Sequence, residues 1–409
     1  MLLGALLLWL PVSHNAGQTV SFVDALFLST SATCVTGLSP LVVSETFNTF
    51  GKGVFVFLIQ IGGLGVACIG ASFVLLLRRK MGIKNQSLVR EGWNVSGSAA
   101  VKKLLTFALF LTVSIEALGA ILSTLIFAQD MPFIDALGTG IFHSVSAFNN
   151  AGFDVLGPES LIPYQGNVAL TLLTSVLIIA GGLGFIVYRD LFEKRRLSKC
   201  TLHTKIVLSM TAVLLVGGTL LLWLIGDTDL LNSFFFSVSA RTAGFMTVPV
   251  GSLSHASLFL LVILMFIGAS PGSTGGGIKT TTAFAAYLTV KSLVTGKKRQ
   301  VFRRKLPDDT VHKALTLVFL ALFVVCAAVF VLSILEPTIE FLDLLVETVS
   351  AAATVGLSTG ITPVLSDASK LVLTLVMYIG RLGPLTAATI WTIKQESALS
   401  YSSESITIG

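Results

Sequence analysis

Four short segments of this 409-residue chain carry the residues best placed to do chemistry, and that chemistry belongs to main-chain oxygen. They read SATCVTGLS (31–39), SAFNNAGFD (146–154), VSARTAGFM (238–246) and SAAATVGLS (350–358). Aligned on Gly37, Gly152, Gly244 and Gly356, each glycine follows a pair: Val35-Thr36, Asn150-Ala151, Thr242-Ala243 or Thr354-Val355. A turn containing glycine adopts backbone geometry that a Cβ resists. Four such turns around one axis give rings of carbonyl oxygens, which can replace the hydration shell of a monovalent cation. These twelve residues are the candidate cation-binding filter.

A second constellation runs from Gly268 to Lys279, GASPGSTGGGIK. Its five glycines, one proline and three hydroxyl residues oppose a regular helix. At membrane depth such backbone must face water or protein. Gly272, Ser273, Thr274, Gly275, Gly276, Gly277 and Lys279 are therefore the candidate gate loop, lying beneath the filter as a flexible barrier. Its spacing departs from a phosphate-binding loop by Ile278, and no strand precedes it, so nucleotide binding is not expected here. Three cations lie in apolar segments: Arg241, Lys279 and Arg381. Each costs about 2.5–3.5 kcal/mol at a helix centre, so each needs a partner or a cavity. Arg381 is the candidate pore barrier, touching the loop, with pairing to Glu347 or Glu116 as the packing alternative. Arg241 is expected to brace the filter against Glu347 or Asp343, and Lys279 to face a cytoplasmic vestibule or pair locally. His143 reads as a hydrogen-bonded helix residue rather than a metal ligand. No nucleophile–base set or paired carboxylates stand at one depth, so no enzyme, cofactor or resident metal is expected. Cys34, Cys68, Cys200 and Cys326 read as small packing residues.

The elements that must position these residues follow from composition. The chain is 54% hydrophobic and only 12% charged. An ordinary soluble domain is about 25% charged. A water-facing surface cannot be covered, which excludes a soluble enzyme, a disordered chain and a nucleic-acid-binding domain, despite a net charge of +6. An all-α polytopic membrane protein remains. Of 27 Lys and Arg, 21 fall in residues 78–103, 189–205 and 291–313. The positive-inside rule makes those loops cytoplasmic, and the acidic intervening loops external. The loops divide the chain into four parts: 1–80, 81–195, 196–300 with a broken second helix, and 301–409 with a C-terminal tail. Expected spans are 54–77, 104–127, 167–188, 205–226, 256–283, 312–335 and 370–393. Residues 1–10 are too short to span, and a truncated first helix is favoured over a signal segment. Between the spans lie 10–12-residue apolar segments suited to re-entrant half-helices, led by Asp24 and Asp343 in two copies. A further landmark follows each glycine: IGGLG (61–65), AGGLG (180–184), IGASP (267–271) and IGRLG (379–383). The last puts Arg381 where Gly63 and Gly182 stand, and these small residues read as close helix packing.

The segments TCVTGLS, SAFNNAGFD, SARTAGF and AATVGLS, with PGSTGGGIKTTT and IGRLGPLT, resemble the Ktr/Trk/HKT superfamily of potassium transporters over essentially the whole chain. The likeness is strongest to the potassium-translocating component of its bacterial Ktr-type systems. The resemblance implies four M1–pore loop–M2 units around one central pore and a homodimer with one pore per protomer. It also implies a cytoplasmic ring of nucleotide-binding regulatory subunits and residence in the cell membrane. It assigns the four glycines to a potassium filter, 272–279 to the gate and Arg381 to the barrier. Plant relatives with serine in the first filter lean to sodium. The short N-terminus and Cys34 depart from the pattern, and the tail 401–409 is implied in contacts between protomers. The expected function is channel-like potassium uptake, with sodium as a candidate co-requirement. The alternatives are a sodium-coupled or sodium-conducting secondary cation transporter using the broken helix, and an intramembrane hydrolase or receptor without a pore.

Overall fold

A computed structural model describes residues 1–65, 98–296 and 298–383, with side chains from residue 103 in the second stretch. The basic residues expected at 78–97, the boundary at 80/81, the ends of the spans 54–77 and 370–393, and the tail 401–409 lie outside the described residues.

Helices form in four successive groups along the chain. The first holds α1 (Leu2–Trp9), α2 (Phe22–Cys34), the single turn α3 (Val43–Thr46) and α4 (Thr49–Leu64). The second holds α5 (Ser98–Phe127), α6 (Phe133–Phe148), α7 (Val168–Leu183) and α8 (Phe185–Lys194). The third holds α9 (Leu202–Ile225), α10 (Leu230–Ser239), α11 (His255–Phe266) and α12 (Thr280–Thr295). A two-residue hairpin, β1 (Gln300–Val301) with β2 (Arg304–Lys305), precedes the fourth: α13 (Asp308–Leu335), α14 (Phe341–Ala353) and α15 (Asp367–Leu382).

Local chemistry sets many of these starts. Ser21, Asn48, Asn167, Thr201, Asp229, Ser254 and Ser366 each accept an amide three residues on with their side-chain oxygen, as helix N-caps do. Among the described residues, α5, α9 and α13 are long and apolar enough to cross a membrane alone. Their outer stripes are bare of protein: Phe110, Leu118, Ile121 and Leu125 on α5, Val213, Val216 and Leu220 on α9, and Phe319, Phe323 and Phe330 on α13 are exposed. Spacings of three, four, seven and eight put each set on one face, and faces so apolar suit a lipid surface.

The short helices α2, α6, α10 and α14 lie inside this wall. Ser29, Ser144 and Ser237 donate from the same helical level to the carbonyls of Met1 (2.7 Å), Glu116 (2.7 Å) and Leu215 (3.0 Å). Packing between them is aromatic, with Phe27, Phe127, Phe148, Phe235, Phe236 and Phe245 fully buried.

One span is corrected. Residues 167–188 do not run on as one helix: α7 ends at Leu183, and α8 leaves it at 88°. The reason is Gly184, at φ +92°, after which the Phe185 amide donates to Gly272 O (2.9 Å) instead of to its own helix. Gly65 and Gly383 end α4 and α15 in the same conformation, at φ +84° and +89°. The last glycine of the GGLG pattern is a helix stop, a role beyond the packing expected of it.

Candidate functional site

Each inner helix ends in a turn of the same shape. Val35, Asn150, Thr242 and Thr354 sit in the left-handed region at φ 58°, 58°, 74° and 52°. Three of the four are β-branched, for which this region is strained by about 1–3 kcal/mol. Two residues on, Gly37, Gly152, Gly244 and Gly356 are again left-handed, at φ +98°, +69°, +80° and +98°. The middle residues are not among the left-handed ones. Alternating hands turn successive peptide units the same way, so amides gather on one side and carbonyls on the other.

The amides are taken up behind the turn. Thr36, Ala151 and Val355 donate to Ser31 O, Ser146 O and Ser350 O (2.8 Å each), and Ala243 to Ser239 O (2.9 Å). The Ser31 and Ser350 hydroxyls also accept the amides of Gly37 (3.1 Å) and Gly356 (2.9 Å). These serines were not singled out as site residues, although each opens its motif five or six positions before the glycine. Among the described residues, no donor meets any carbonyl of the twelve candidate filter residues.

The four turns meet and close on one another. A Cβ built on Gly37 would lie 2.6 Å from Ala151 O, and one on Gly152 would lie 2.5 Å from Ala243 O. One on Gly244 would strike Val355 O, and one on Gly356 would strike Thr36 O. Each glycine thus abuts the carbonyl of the next turn, in chain order, until the fourth returns to the first. The structure brings all twelve candidate filter residues into this ring, and any side chain on the glycines would break it.

The glycine-rich loop lies against the ring. Its ends are pinched by a parallel bridge between Ile267 and Ile278, with Gly268 N donating to Ile278 O (2.9 Å) and Thr280 N to Ala269 O (3.2 Å). Ser270 N and Thr274 N donate to the carbonyls of Gly182 (3.1 Å) and Gly181 (3.3 Å), where α7 stops. Thr274 Oγ1 lies 3.2 Å from Phe148 O and 3.3 Å from the Asn150 amide. Gly275 backs onto the Thr242 side chain and Gly276 onto Thr354. The loop thus reaches the left-handed residue of the second, third and fourth turns. Lys279 pairs locally, donating to Gly275 O (2.7 Å) and Gly276 O (3.4 Å).

Arg381 serves the remaining quarter. Its Nη1 donates to Thr274 O (2.6 Å) and its Nη2 to Gly62 O, tying the loop to α4. Among the described residues it forms no ion pair, so neither Glu347 nor Glu116 is its partner. The partners expected for Arg241 are corrected. It donates weakly to Thr211 Oγ1 (3.4 Å) and borders a small cavity with Ile178, Gly182 and Leu183. Glu347 instead accepts the hydroxyl of Thr362. His143 is held by Thr174 Oγ1 (2.9 Å) between Phe127 and Phe245, as a helix residue. Asn149, also unmarked beforehand, lies within 2.8 Å of Glu116 and 3.1 Å of Gln60 behind the second turn.

A family model described as TrkH, cation transport protein, matches residues 3–226 and 202–403. The chain is 40% identical to the potassium/sodium uptake protein NtpJ of Enterococcus hirae, over all of this chain and 94% of that protein. It is 36% identical to the Ktr system potassium uptake protein B of Bacillus subtilis, over 98% of this chain and 92% of that one. The solved structure of the potassium transporter TrkH from Vibrio parahaemolyticus superposes with a TM-score of 0.70 at 21% identity, covering 91% of this chain and 79% of that chain. That likeness is one of fold.

Proposed function

The chain belongs to the TrkH family of cation transport proteins, and from that premise we propose that it takes up potassium across the cell membrane as a channel-like pathway. The observation that carries the reading is the closed ring of four glycine turns whose carbonyls have no donor among the described residues. Unpaired buried carbonyls are costly unless something positive and transient occupies them. A dehydrated monovalent cation fits that need. In this reading the four units 1–80, 81–195, 196–300 and 301–409 surround one pore, with the basic loops on the cytoplasmic side. The loop 272–279 is the gate in this reading, because it lies against the left-handed residue of three of the four turns. Arg381 is an electrostatic barrier that also latches the gate. A homodimer and a cytoplasmic nucleotide-binding ring complete the proposal, the second suited to act on the gate from its own side. Joint sodium and potassium transport is the second reading, favoured by the naming of the 40%-identical relative as a potassium/sodium uptake protein.

The test is potassium uptake, with sodium as competitor, in cells stripped of their own uptake systems. Gly37→Ser, Gly152→Ser, Gly244→Ser and Gly356→Ser should each lower the preference for potassium over sodium by about tenfold, which is ~1.4 kcal/mol of lost discrimination. Unchanged preference in all four would refute the filter.

A further inference from the structure

The fourth quarter contains a fully buried carboxyl with no part in the filter, the gate or the barrier. Glu347 stands on α14, nine residues before Gly356. At the same offset the other quarters carry Leu28, His143 and Phe235. An acid here is expensive, because a buried carboxyl must be satisfied by its neighbours. The hydroxyl that meets it is that of Thr362, on the segment that leaves the filter, and Thr362 in turn meets Ser358. Glu347 Oε1 accepts the Thr362 hydroxyl, while its Oε2 is buried with no hydrogen-bond partner among the described residues. Ser358 Oγ is 3.2 Å from Thr362 Oγ1 and accepts the Gly360 amide (3.0 Å). The opposite side of this segment is held by the third quarter, where a Cβ on Gly251 would come to 2.7 Å from Thr359 O.

Ser358 is the second residue after Gly356. The Gly356 turn abuts both the first and the third turns, so its position is shared by half the ring's contacts. We propose that Glu347 is a positioning residue for potassium discrimination: through Thr362 and Ser358 it tethers the exit of the fourth filter turn and fixes where that turn's carbonyls stand. The inference rests on the filter reading. A hydrogen-bonded tether demands an acceptor at 347 and a hydroxyl at 362. It does not demand a negative charge, so glutamine at 347 suffices.

The experiment compares potassium and sodium uptake, normalised to the protein present in the membrane, for Glu347→Gln, Glu347→Leu, Thr362→Val and the control Gly356→Ser. Glu347→Leu and Thr362→Val should each lower the potassium-to-sodium preference about fivefold, the effect of one hydrogen bond. Glu347→Gln should stay within about twofold of the parent, since its amide oxygen still accepts from Thr362. Should Glu347→Leu fail to accumulate, Thr362→Val, which keeps the side-chain volume, decides alone. Parental preference in Thr362→Val, or a Glu347→Gln as impaired as Glu347→Leu, overturns the tether. If Gly356→Ser retains its preference as well, the filter reading itself has failed. If Gly356→Ser loses it while Thr362→Val does not, only the tether has.

Discussion

At the residue scale the telling side chain is Arg381. A guanidinium at membrane depth would ordinarily seek a carboxylate, yet here its two Nη groups bond carbonyls of the loop and of α4. Arginine suits this because its planar fork serves two acceptors at once, whereas a lysine ammonium is a point charge. A charge-assisted hydrogen bond contributes about 1.5–3 kcal/mol. Losing the Thr274 contact in Arg381→Ala should therefore raise the initial rate of potassium uptake about tenfold if loop opening limits it. Arg381→Lys should fall between, keeping charge near the pore but bridging less well. Uptake rates identical to the parent in both variants would reduce Arg381 to a packing role. Its singular position was legible in the sequence, where it interrupts the GGLG pattern. Its partners were not, because they are backbone atoms of elements 107 and 319 residues away.

At the element scale, a helix stop is reused for two purposes. Gly184 ends α7 and frees the Phe185 amide to hold the loop at Gly272, so the bend and the seat of the glycine-rich loop are one construction. The same loop sits against the left-handed residues of three of the four glycine turns. Deleting 272–277 should therefore raise potassium flux severalfold without abolishing ion preference, since the ring's own amides remain bonded to the inner helices. Flux equal to the parent would remove the gate assignment. The break between α11 and α12 was legible from five glycines and a proline. The 88° turn at Gly184 was not, because AGGLG reads equally as a packing motif until the neighbouring loop supplies the bond that the helix gives up.

At the scale of the whole molecule, the ring must close between the ends of the chain. Lys370 at the start of α15 pairs with Asp24 at the start of α2 at 2.7 Å, with side-chain exposures of 9% and 15%. Removing one member of so buried a pair leaves an uncompensated charge, which costs about 3 kcal/mol or more. Lys370→Met and Asp24→Asn should each lower the unfolding temperature of the purified protein. The double variant should be less destabilised than the two losses added together, and strict additivity would show that the pair carries no closure. What the sequence by itself determined is the membrane setting, the four glycine turns and the broken helix, because hydropathy, repeat spacing and glycine content are local properties written along the chain. What only the tertiary structure decided is the order of the turns around the ring, the partners of Arg241, Arg381 and Lys279, and the carboxyl behind the fourth turn. The ring order and the partners of Arg381 depend on atoms far apart in the chain, 107 and 319 residues for Arg381, being brought close together. Arg241, Lys279 and Glu347 find nearer partners that only the packed turns present, and no local pattern records which backbone carbonyl will be left facing which cation.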